Sequence, residues 1–578
     1  MNIFVFFKKV IHSIIIEKYP KETEITDVRL EYPNVSKYGD MSSNIAILLA
    51  NKVSIKPQLV AEEICIKLRE NQFIKNAEGT KSGFINLTLE HEFWAIFLND
   101  LLSQGNDYPT FPRQDNSKIN VEFVSANPTG PLHIGHAKSA VIGDVIVNLL
   151  TKYGYNVTKE YYINDAGRQI SKLIKSVDIR YRQLLGETID LTDECYPGEY
   201  LIDVATKLLE KCHPALQAAC KSKYNQIVET HAVSEILKLI KEDLKRLGVI
   251  HDEYISEREI MSTGNINNLI KFLREQNLVY EGILDRPKGG GGTKTGEWEQ
   301  KKQLIFKATR FNDDSDRVIL KSDGTHTYFA TDMVYHLNKI ERGFRKMILF
   351  LGADHVGYEK RIKSAVEALS KGEATLEVKI CQLVTLKKDG KTVKMSKRSG
   401  NFISLKELLD EVGMDALRFG MLQKSADTVM EFDIERLQQQ NKDNPIFYVQ
   451  YASARSHSIM RKAEDTGILT HKKHYDIAVL KLLVAEHEVS LIKQLALYPR
   501  IIESCVKTLD PHKITYYLYD LASLFHQSWN IGNIYDGSKF LVKENKPLTQ
   551  ARLALIKSVS LVLRSGLELL GIKALKEM

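Results

Sequence analysis

The hydrophobic and polar positions of this 578-residue chain change their period along its length. Near the start, apolar residues recur with the three-to-four spacing of one helix face, at Phe4, Phe7, Ile11, Ile14 and Ile15. This spacing predicts an amphipathic helix. Short strand patterns such as 83–89 follow, so residues 1–112 are expected to form an α+β domain. The stretch 104–117 is rich in Pro, Asn, Asp and Gln and has the composition of a linker.

From residue 118 onward, strand and helix patterns alternate. The alternating pairs are strand 119–124 with helix 136–150, strand 157–163 with helix 168–185, and strand 347–352 with helix 358–370. Such alternation is typical of a parallel, doubly wound sheet. Residues 118–435 are therefore expected to form a Rossmann-like α/β domain that carries a helical insertion at about 197–278.

Beyond residue 436 the strand patterns disappear. Long amphipathic helices are predicted there, for example at 480–497 and 551–570, so residues 436–578 are expected to form an all-α domain. The four glycines at 289–292 lack a following Gly-Lys-Ser or Gly-Lys-Thr helix start. They indicate a flexible surface loop rather than a phosphate-binding loop.

Composition restricts the compartment and the partners. The net charge of +7 and the pI near 8.7 are compatible with a polyanionic partner. The six cysteines are scattered without a Cys-x-x-Cys pair, which argues against a disulfide framework and a structural zinc site and favours a reducing cytosol. Lys8 and Lys9 interrupt the apolar start, which favours a helix over a signal peptide. No apolar run is long enough to span a bilayer, so a cytoplasmic protein without a membrane partner is expected.

The first motif that carries chemistry is His133-Ile134-Gly135-His136, which opens a predicted helix just after a strand. A helix N-terminus offers free N–H groups and positive potential, which suit a phosphate chain. The imidazoles add donors where negative charge develops, and Gly135 allows a nucleotide to approach the backbone closely. Taken alone, this motif is equally typical of two surface histidines at a helix cap.

The second motif is Lys394-Met395-Ser396-Lys397-Arg398, on a basic loop much later in the chain. Lys394 and Lys397 supply ammonium groups for the β- and γ-phosphates and for a departing pyrophosphate. Taken alone, this motif is more typical of a solvated basic loop. Both motifs in this order and context predict an enzyme that holds a nucleoside triphosphate from both ends.

These motifs resemble the two signatures of class I aminoacyl-tRNA synthetases, and longer strings narrow the resemblance to the arginyl-tRNA synthetase family. The strings are 121–136, 161–169, 321–332, 352–358 and 444–452. The resemblance covers nearly the whole chain. The closing residues 569–578 are similar too, but they lack the Pro-Glu-Arg that the family usually has before the final Met.

The resemblance implies a set of site residues. ATP contacts are implied for His133, Gly135, His136, Lys394, Met395, Ser396 and Lys397, of which the two histidines and two lysines are catalytic. The extended first signature comprises Ala126, Asn127, Pro128, Thr129, Gly130, Pro131, Leu132, His133, Ile134, Gly135 and His136. For arginine, Asp332 and Tyr328 would grip the guanidinium with Glu257 as a further candidate, and Glu122, Ser125, Asn127, His136 and His355 would bind the rest of the amino acid.

The chemistry of arginine agrees with that set, because a planar, permanently charged guanidinium requires carboxylates that accept in pairs. Without the resemblance, Tyr328 and Asp332 would indicate an ordinary first helical turn with a capping acid, and Glu257 is nearly as typical of a surface acid. Asp165 is expected to orient its loop rather than to bind substrate.

The resemblance further implies ATP with Mg²⁺, L-arginine and tRNA-Arg as the partners of a monomeric ligase that holds no tightly bound metal of its own. Residues 1–112 would contact the tRNA elbow, with Asp40, Ser43 and Asn44 in the matching motif, and 436–578 would bind the anticodon. The tRNA would have to bind before arginine is activated. Aromatic residues of the last domain are candidates for stacking on bases, although their spacing indicates that most belong to the core: Tyr448, Tyr451, Tyr516, Tyr517, Tyr519, Phe525 and Trp529.

The three alternatives are a class I synthetase of another specificity, a nucleotidylyltransferase that acts without tRNA, and an inactive relative. A cysteine-specific synthetase would show clustered Cys and His zinc ligands, and a glutamate-specific one would need a cationic pocket where Asp332 and Glu257 occur. A nucleotidylyltransferase that acts without tRNA would be far shorter. A catalytically inactive relative that binds RNA stays open, although the intact histidine and lysine motifs favour an enzyme.

Overall fold

The computed structural model describes residues 1–21, 28–33, 35–114, 118–262, 264–284, 301–393, 403–468, 474–542 and 544–578. The predicted glycine loop at 289–292 and the motif Lys394–Arg398 lie outside these residues.

The N-terminal residues form helices against a four-stranded antiparallel sheet with the order β1-β2-β4-β3. Its elements are α1 (Ile3–Lys18), β1 (Leu30–Glu31), β2 (Met41–Ser43), α2 (Ile45–Val53), α3 (Pro57–Leu68), β3 (Ile74–Gly79), β4 (Ile85–Leu89) and α4 (His91–Gln104). The predicted amphipathic helix is confirmed as α1, which buries the apolar face that its spacing indicated. The α+β class predicted for this region is confirmed.

The central region contains a five-stranded parallel sheet with the order β12-β11-β5-β6-β7. Its strands and the helices between them are β5 (Lys118–Glu122), α5 (Ile134–Lys152), β6 (Asn156–Ile163), α6 (Arg168–Leu184), α7 (Tyr200–Gln217), α8 (Lys221–Arg246), β7 (Glu253–Ser256), α9 (Glu257–Ser262), α10 (Asn265–Glu275), α11 (Tyr328–Glu341), β11 (Phe344–Gly352), α12 (Glu359–Leu369) and β12 (Thr375–Cys381). The doubly wound sheet and the helical insertion are confirmed. Because the strand order reverses between β5 and β11, a crevice opens beyond the carboxyl ends of these strands.

Strands β7 and β12 of this sheet were not predicted from the sequence. The four residues of β7, Glu253 to Ser256, alternate too briefly to form a recognisable pattern. Only the parallel pairing with β6, from Glu160 opposite Glu253 to Ile163 opposite Ser256, makes them a strand.

Two small sheets border the parallel one. The first contains β8 (Val279–Gly282), β9 (Gln303–Phe306) and β10 (Arg317–Leu320), and the second contains β13 (Val384–Lys388), β14 (Lys391–Val393) and β15 (Met430–Asp433). Strands β13 and β14 form a hairpin across Asp389 and Gly390, whose φ angles of 52° and 67° suit a tight two-residue turn. Helices α13 (Leu405–Val412), α14 (Met414–Met421) and α15 (Ile434–Gln438) complete this part.

The last region is a helical bundle, as predicted. It comprises α16 (Pro445–Asp465), α17 (Ile477–Leu480), α18 (Glu486–Thr508), α19 (His512–Ile534) and α20 (Lys546–Leu569). The prediction of one helix over 480–497 is wrong at its start, because α17 ends at Leu480 and α18 begins at Glu486. The Glu488 carboxylate accepts from the Ala485 N–H at 3.0 Å and so starts the new helix. Among the described helices, none combines the length and the apolarity that a bilayer crossing requires.

A buried arginine joins the central region to the bundle. The fully buried Arg418 donates to the carboxylate of Asp144 on α5 at 2.6 Å, to the carbonyl of Leu570 at 2.7 Å and to that of Leu247 at 3.0 Å. Asp144 also accepts from Lys159 at 2.6 Å. This one guanidinium therefore holds α5, the end of α8 and the turn after α20 together.

Replacing Asp144 by Ala should lower the free energy of unfolding by about 3–5 kcal/mol, because it leaves the buried Arg418 charge without a carboxylate. Urea and thermal unfolding, followed by circular dichroism, measure this loss. The exposed Asp314, which pairs with Lys360, is the matched control, and Asp314→Ala should leave both midpoints unchanged. Equal effects of the two substitutions would contradict this role of the Arg418 pair.

Candidate active site

The predicted site residues that the structure describes lie around the crevice between β5 and β11. The end of β5 leads through residues 123–133 into α5, and the ends of β6 and β7 lie beside it. Helix α11 brings Asp332 to the same region, where its carboxyl interacts electrostatically with Glu122 at the end of β5 and with Glu257 after β7. The strand order thus assembles residues that are far apart in the chain.

The histidine motif forms the N-terminal cap of α5. The Nδ1 atom of His133 accepts from the Gly135 N–H at 3.1 Å, and Nδ1 of His136 accepts from the His133 N–H at 3.2 Å. The two rings lie 4.0 Å apart between centroids. Because both Nδ1 atoms accept, each neutral ring carries its proton on Nε2. Both rings therefore present an N–H donor at a helix N-terminus, which already favours negative charge.

The loop between β5 and the motif is held in an unusual backbone conformation. Val124 and Ser125 have φ angles of 69° and 36°, which non-glycine residues rarely adopt. The Val124 N–H donates to Ser139 Oγ at 3.2 Å, Asn164 donates to the Ser125 carbonyl at 3.1 Å, and the Tyr162 N–H donates to Ser125 Oγ at 3.0 Å. Such strain, about 1–3 kcal/mol per residue, typically marks a functional loop.

The second motif lies outside the described residues, but the residues at both of its ends are described. Strand β14 ends at Val393, immediately before Lys394. Val393 pairs with Leu386 of β13. On the other side, Ser404 forms a bridge with His133, and the Leu405 N–H donates to the Leu132 carbonyl at 2.8 Å. The chain that carries the lysine motif therefore ends directly against the histidine motif.

Asp332 and Glu257 form no ion pair with any other residue that the structure describes. Burial raises the pKa of Asp332 to about 7 and is reinforced by Glu122 and Glu257, while a hydrogen bond from the Tyr358 hydroxyl opposes the rise. Burial and the nearby Asp165 also raise the pKa of Glu257. Among the described residues, no hydrogen-bond donor or cation contacts the Glu257 carboxylate. Two carboxyls that are costly to ionise alone form a site for a cation.

Tyr162 is close enough to the same carboxyls to interact with them electrostatically. It is buried and stacks on Tyr335 with 4.2 Å between centroids. Burial raises the pKa of its hydroxyl, and Glu257, Asp332, Glu122 and Asp165 raise it further in that order. Four carboxyls thus act on one aromatic side chain, and negative charge beside an aromatic ring suits a planar cation.

Glu122, in contrast, already has partners. Its carboxylate accepts from the buried Lys339 at 2.5 Å and from Ser125 Oγ at 3.1 Å. Lys339 also lies 3.6 Å from Glu160, which accepts from Arg342. This buried network fixes Glu122 and the loop at Ser125. Its predicted contact with the substrate amino group stays a prediction.

The other predicted arginine contacts lie at the rim. Asn127 donates to Gln169 at 2.6 Å, and His355 is exposed on the turn after β11, 3.5 Å from Asp354. Tyr328 is 72% exposed. Its hydroxyl lies beside Gly167, 3.7 Å from the position that a Cβ atom on that glycine would occupy. These positions leave the three side chains accessible to a ligand in the crevice.

Asp165 was expected to orient its loop, and its contacts agree. Its carboxylate accepts from Ser256 Oγ at 2.6 Å and from the Arg258 N–H at 3.0 Å. It ties the end of β6 to the end of β7.

Sequence reasoning missed Tyr162, Tyr335, Lys339 and Tyr358 as parts of the site. A signal for two of them existed, because Asp332, Tyr335 and Lys339 follow helical spacing along one face of α11. Tyr162 and Tyr358 lay inside strings that resembled the family, but only the tertiary structure turns them toward Asp332.

The candidate stacking residues of the bundle divide into two groups. Tyr517 and Phe525 are buried core residues, whereas Tyr516 is 57% exposed. Tyr448, Tyr451, Tyr519 and Trp529 lie at the surface of α16 and α19, and Arg455 stacks over Tyr451 at 4.4 Å and over Trp529 at 5.3 Å. Aromatic faces next to an arginine suit unpaired bases.

Three protein-family models match the chain. The model described as "tRNA synthetases class I (R), catalytic domain" matches residues 97–455, "DALR anticodon binding domain" matches 449–578, and "Arginyl tRNA synthetase N terminal domain" matches 6–89.

Curated relatives and solved structures agree with these matches. The chain is 43% identical over 585 residues to an arginine–tRNA ligase of Wolbachia pipientis wMel and 42% identical over 585 residues to one of Rickettsia bellii, with 100% of each chain covered in both comparisons. Its fold is similar to that of the Thermus thermophilus arginyl-tRNA synthetase, with a TM-score of 0.74 and 22% identity over 99% of both chains.

Proposed function

The chain belongs to the arginyl-tRNA synthetase family, and from this premise we propose how its residues ligate arginine to tRNA. Its activity is that of an arginine–tRNA ligase. Arginine and ATP form arginyl-adenylate and pyrophosphate, and the arginyl group then passes to the 3′ end of tRNA-Arg with release of AMP.

The observation that supports the substrate assignment is that Asp332 and Glu257 interact with each other but form no ion pair with any described residue. Both carboxylates accept from the guanidinium, whose positive charge pairs with them, and the nearby ring of Tyr162 supports its plane. Tyr328 closes the pocket from the exposed side. An amino acid without a guanidinium leaves these acceptors unpaired, which excludes it strongly.

Adenylate formation needs no side-chain nucleophile, because the arginine carboxylate itself attacks the α-phosphate in line. The Nε2–H groups of His133 and His136 donate to the phosphate oxygens at the start of α5. Lys394 and Lys397 stabilise the departing pyrophosphate. Glu122, Ser125, Asn127 and His355 orient the amino and carboxylate ends of arginine beside the strained loop.

The remaining partners follow from the same premise. Mg²⁺ binds with ATP as part of the substrate and shields the charge of its phosphates. The enzyme acts as a monomer in the cytosol. Residues 1–112 contact the tRNA elbow, and residues 436–578 bind the anticodon through the exposed rings around Arg455. Residues 118–435 catalyse both steps.

The test is arginine-dependent exchange of pyrophosphate into ATP, with and without tRNA-Arg, against a panel of other amino acids. We expect exchange with arginine alone among the amino acids, and only when the tRNA is present. Exchange without tRNA would contradict the proposed requirement for bound tRNA but would still show that the protein activates arginine. Tight tRNA binding without any exchange would indicate that the protein is an inactive RNA-binding relative rather than an enzyme.

A further inference from the structure

Lys138 lies in α5, two residues after His136, and is fully buried. Its Nζ donates to the carbonyls of Thr428 at 2.7 Å and Ala426 at 2.9 Å and lies 3.5 Å from that of Gln382. These acceptors, all that it has among the described residues, are main-chain carbonyls, and none is a carboxylate. An aliphatic side chain would fill the same volume without the cost of burying an ammonium group, so the lysine is needed here for its donors to these carbonyls rather than for packing.

The carbonyls that Lys138 binds stand where two strands begin. Gln382 precedes β13 and Thr428 precedes β15, and these strands run parallel from Val384 opposite Met430. The Gln382 N–H also donates to the Ala426 carbonyl at 2.9 Å. Lys138 therefore attaches the common start of both strands to the helix that presents His133 and His136.

This attachment concerns the lysine motif, because β14 is the other neighbour of β13. Strand β14 ends at Val393, one residue before Lys394, and the chain returns at Ser404 beside His133. Val393 thus lies in the sheet that Lys138 holds, and Ser404 lies beside the first turn of α5. The next residue, Ser139, holds the strained loop at Val124.

We propose that Lys138 is a positioning residue for adenylate formation. It fixes the β13–β14–β15 sheet against α5, so that the histidine motif and the lysine motif reach the same ATP. Lys138 contacts neither ATP nor arginine in this role. The inference rests on the proposed function, because it assumes that both motifs bind ATP.

The test compares the wild type, Lys138→Met and Lys138→Gln in pyrophosphate exchange at saturating arginine and tRNA. Lys138→Met should raise the KM for ATP about tenfold and lower the exchange rate about 10- to 100-fold, as misplacement of reacting groups does. The KM for arginine and the Kd for tRNA should stay within about twofold. Lys138→Gln retains amide donors for the carbonyls and should recover part of the loss.

Lys152→Met is the matched control. Lys152 lies at the far end of α5 and also donates to a main-chain carbonyl, that of Asp107 at 2.8 Å. This variant removes the same kind of contact from the same helix and should leave the KM for ATP unchanged.

A double-mutant cycle separates positioning from general destabilisation. If Lys138 acts through residues 394–402, Lys138→Met should cost at most about twofold more in a Lys397→Ala background. Effects that multiply in the double variant would overturn the inference, as would an unchanged KM for ATP in Lys138→Met. Loss of the fold with both Met and Gln would overturn it as well, because Lys138 would then serve stability alone. A wild type without arginine-dependent exchange would instead refute the proposed function.

Discussion

Replacing Asp332 by Asn should lower kcat/KM for arginine by at least about 1,000-fold, the largest effect expected of any single substitution in the pocket. The amide keeps the shape of the carboxyl but removes its charge and turns one acceptor into a donor that faces the guanidinium. Glu257 is left as the main uncompensated carboxylate beside Tyr162. Pyrophosphate exchange at varied arginine and saturating ATP measures the loss.

The same carboxyl should give a pH dependence. The pKa of Asp332 is about 7 and is set by burial, by the Tyr358 hydroxyl, by Glu122 and Glu257, and by Arg361. Below this pH the carboxyl is neutral and binds the guanidinium poorly. In the wild type, kcat/KM for arginine should therefore rise about tenfold per pH unit up to about pH 7 and then level off. In Asp332→Asn, kcat/KM for arginine should no longer rise with pH in this range.

The control for both experiments is Asp314→Asn, an exposed carboxylate that pairs with Lys360. It should keep wild-type arginine kinetics at every pH. The KM for ATP should change little in Asp332→Asn, because the pocket binds only the amino acid. If Asp332→Asn kept wild-type arginine kinetics, Asp332 would not be part of the guanidinium site. If kcat/KM still rose with pH in this variant, the pH dependence would belong to another group.

Replacing Lys397 by Ala should slow adenylate formation by about 100-fold or more, the loss expected when a donor to developing charge is removed. The residue lies outside the described residues, but the chain that carries it returns at Ser404 against His133. Single-turnover formation of arginyl-adenylate with bound tRNA measures the chemical step apart from product release.

Lys391→Ala is the matched control for this experiment. Lys391 is exposed on β14, only six residues earlier, and pairs across the hairpin with Lys388. Its replacement removes the same charge from the same small sheet and should change the rate by less than about twofold. If Lys397→Ala kept the wild-type rate, the lysine motif would have no part in catalysis.

The sequence by itself determined the class of the fold and the two motifs from which nucleotide binding is predicted. Both depend on local patterns. Strand 157–163 and helix 168–185 follow their own periodicity, and the histidine motif caps its helix with groups no more than three residues apart. The helix predicted over 480–497 was wrong at its start because a capping contact at Glu488, rather than a change in hydrophobicity, begins α18.

Only the tertiary structure decided what the acidic residues do. Glu122, Glu257 and Asp332 are far apart in the chain. Their carboxyls interact because β5, β6 and β7 are neighbouring strands and α11 packs beside them. The same packing supplies Lys339 to Glu122 but, among the residues that the structure describes, no cation that pairs with Glu257. Charge and burial depend on what surrounds a side chain in space, and a local pattern of residues does not contain that information.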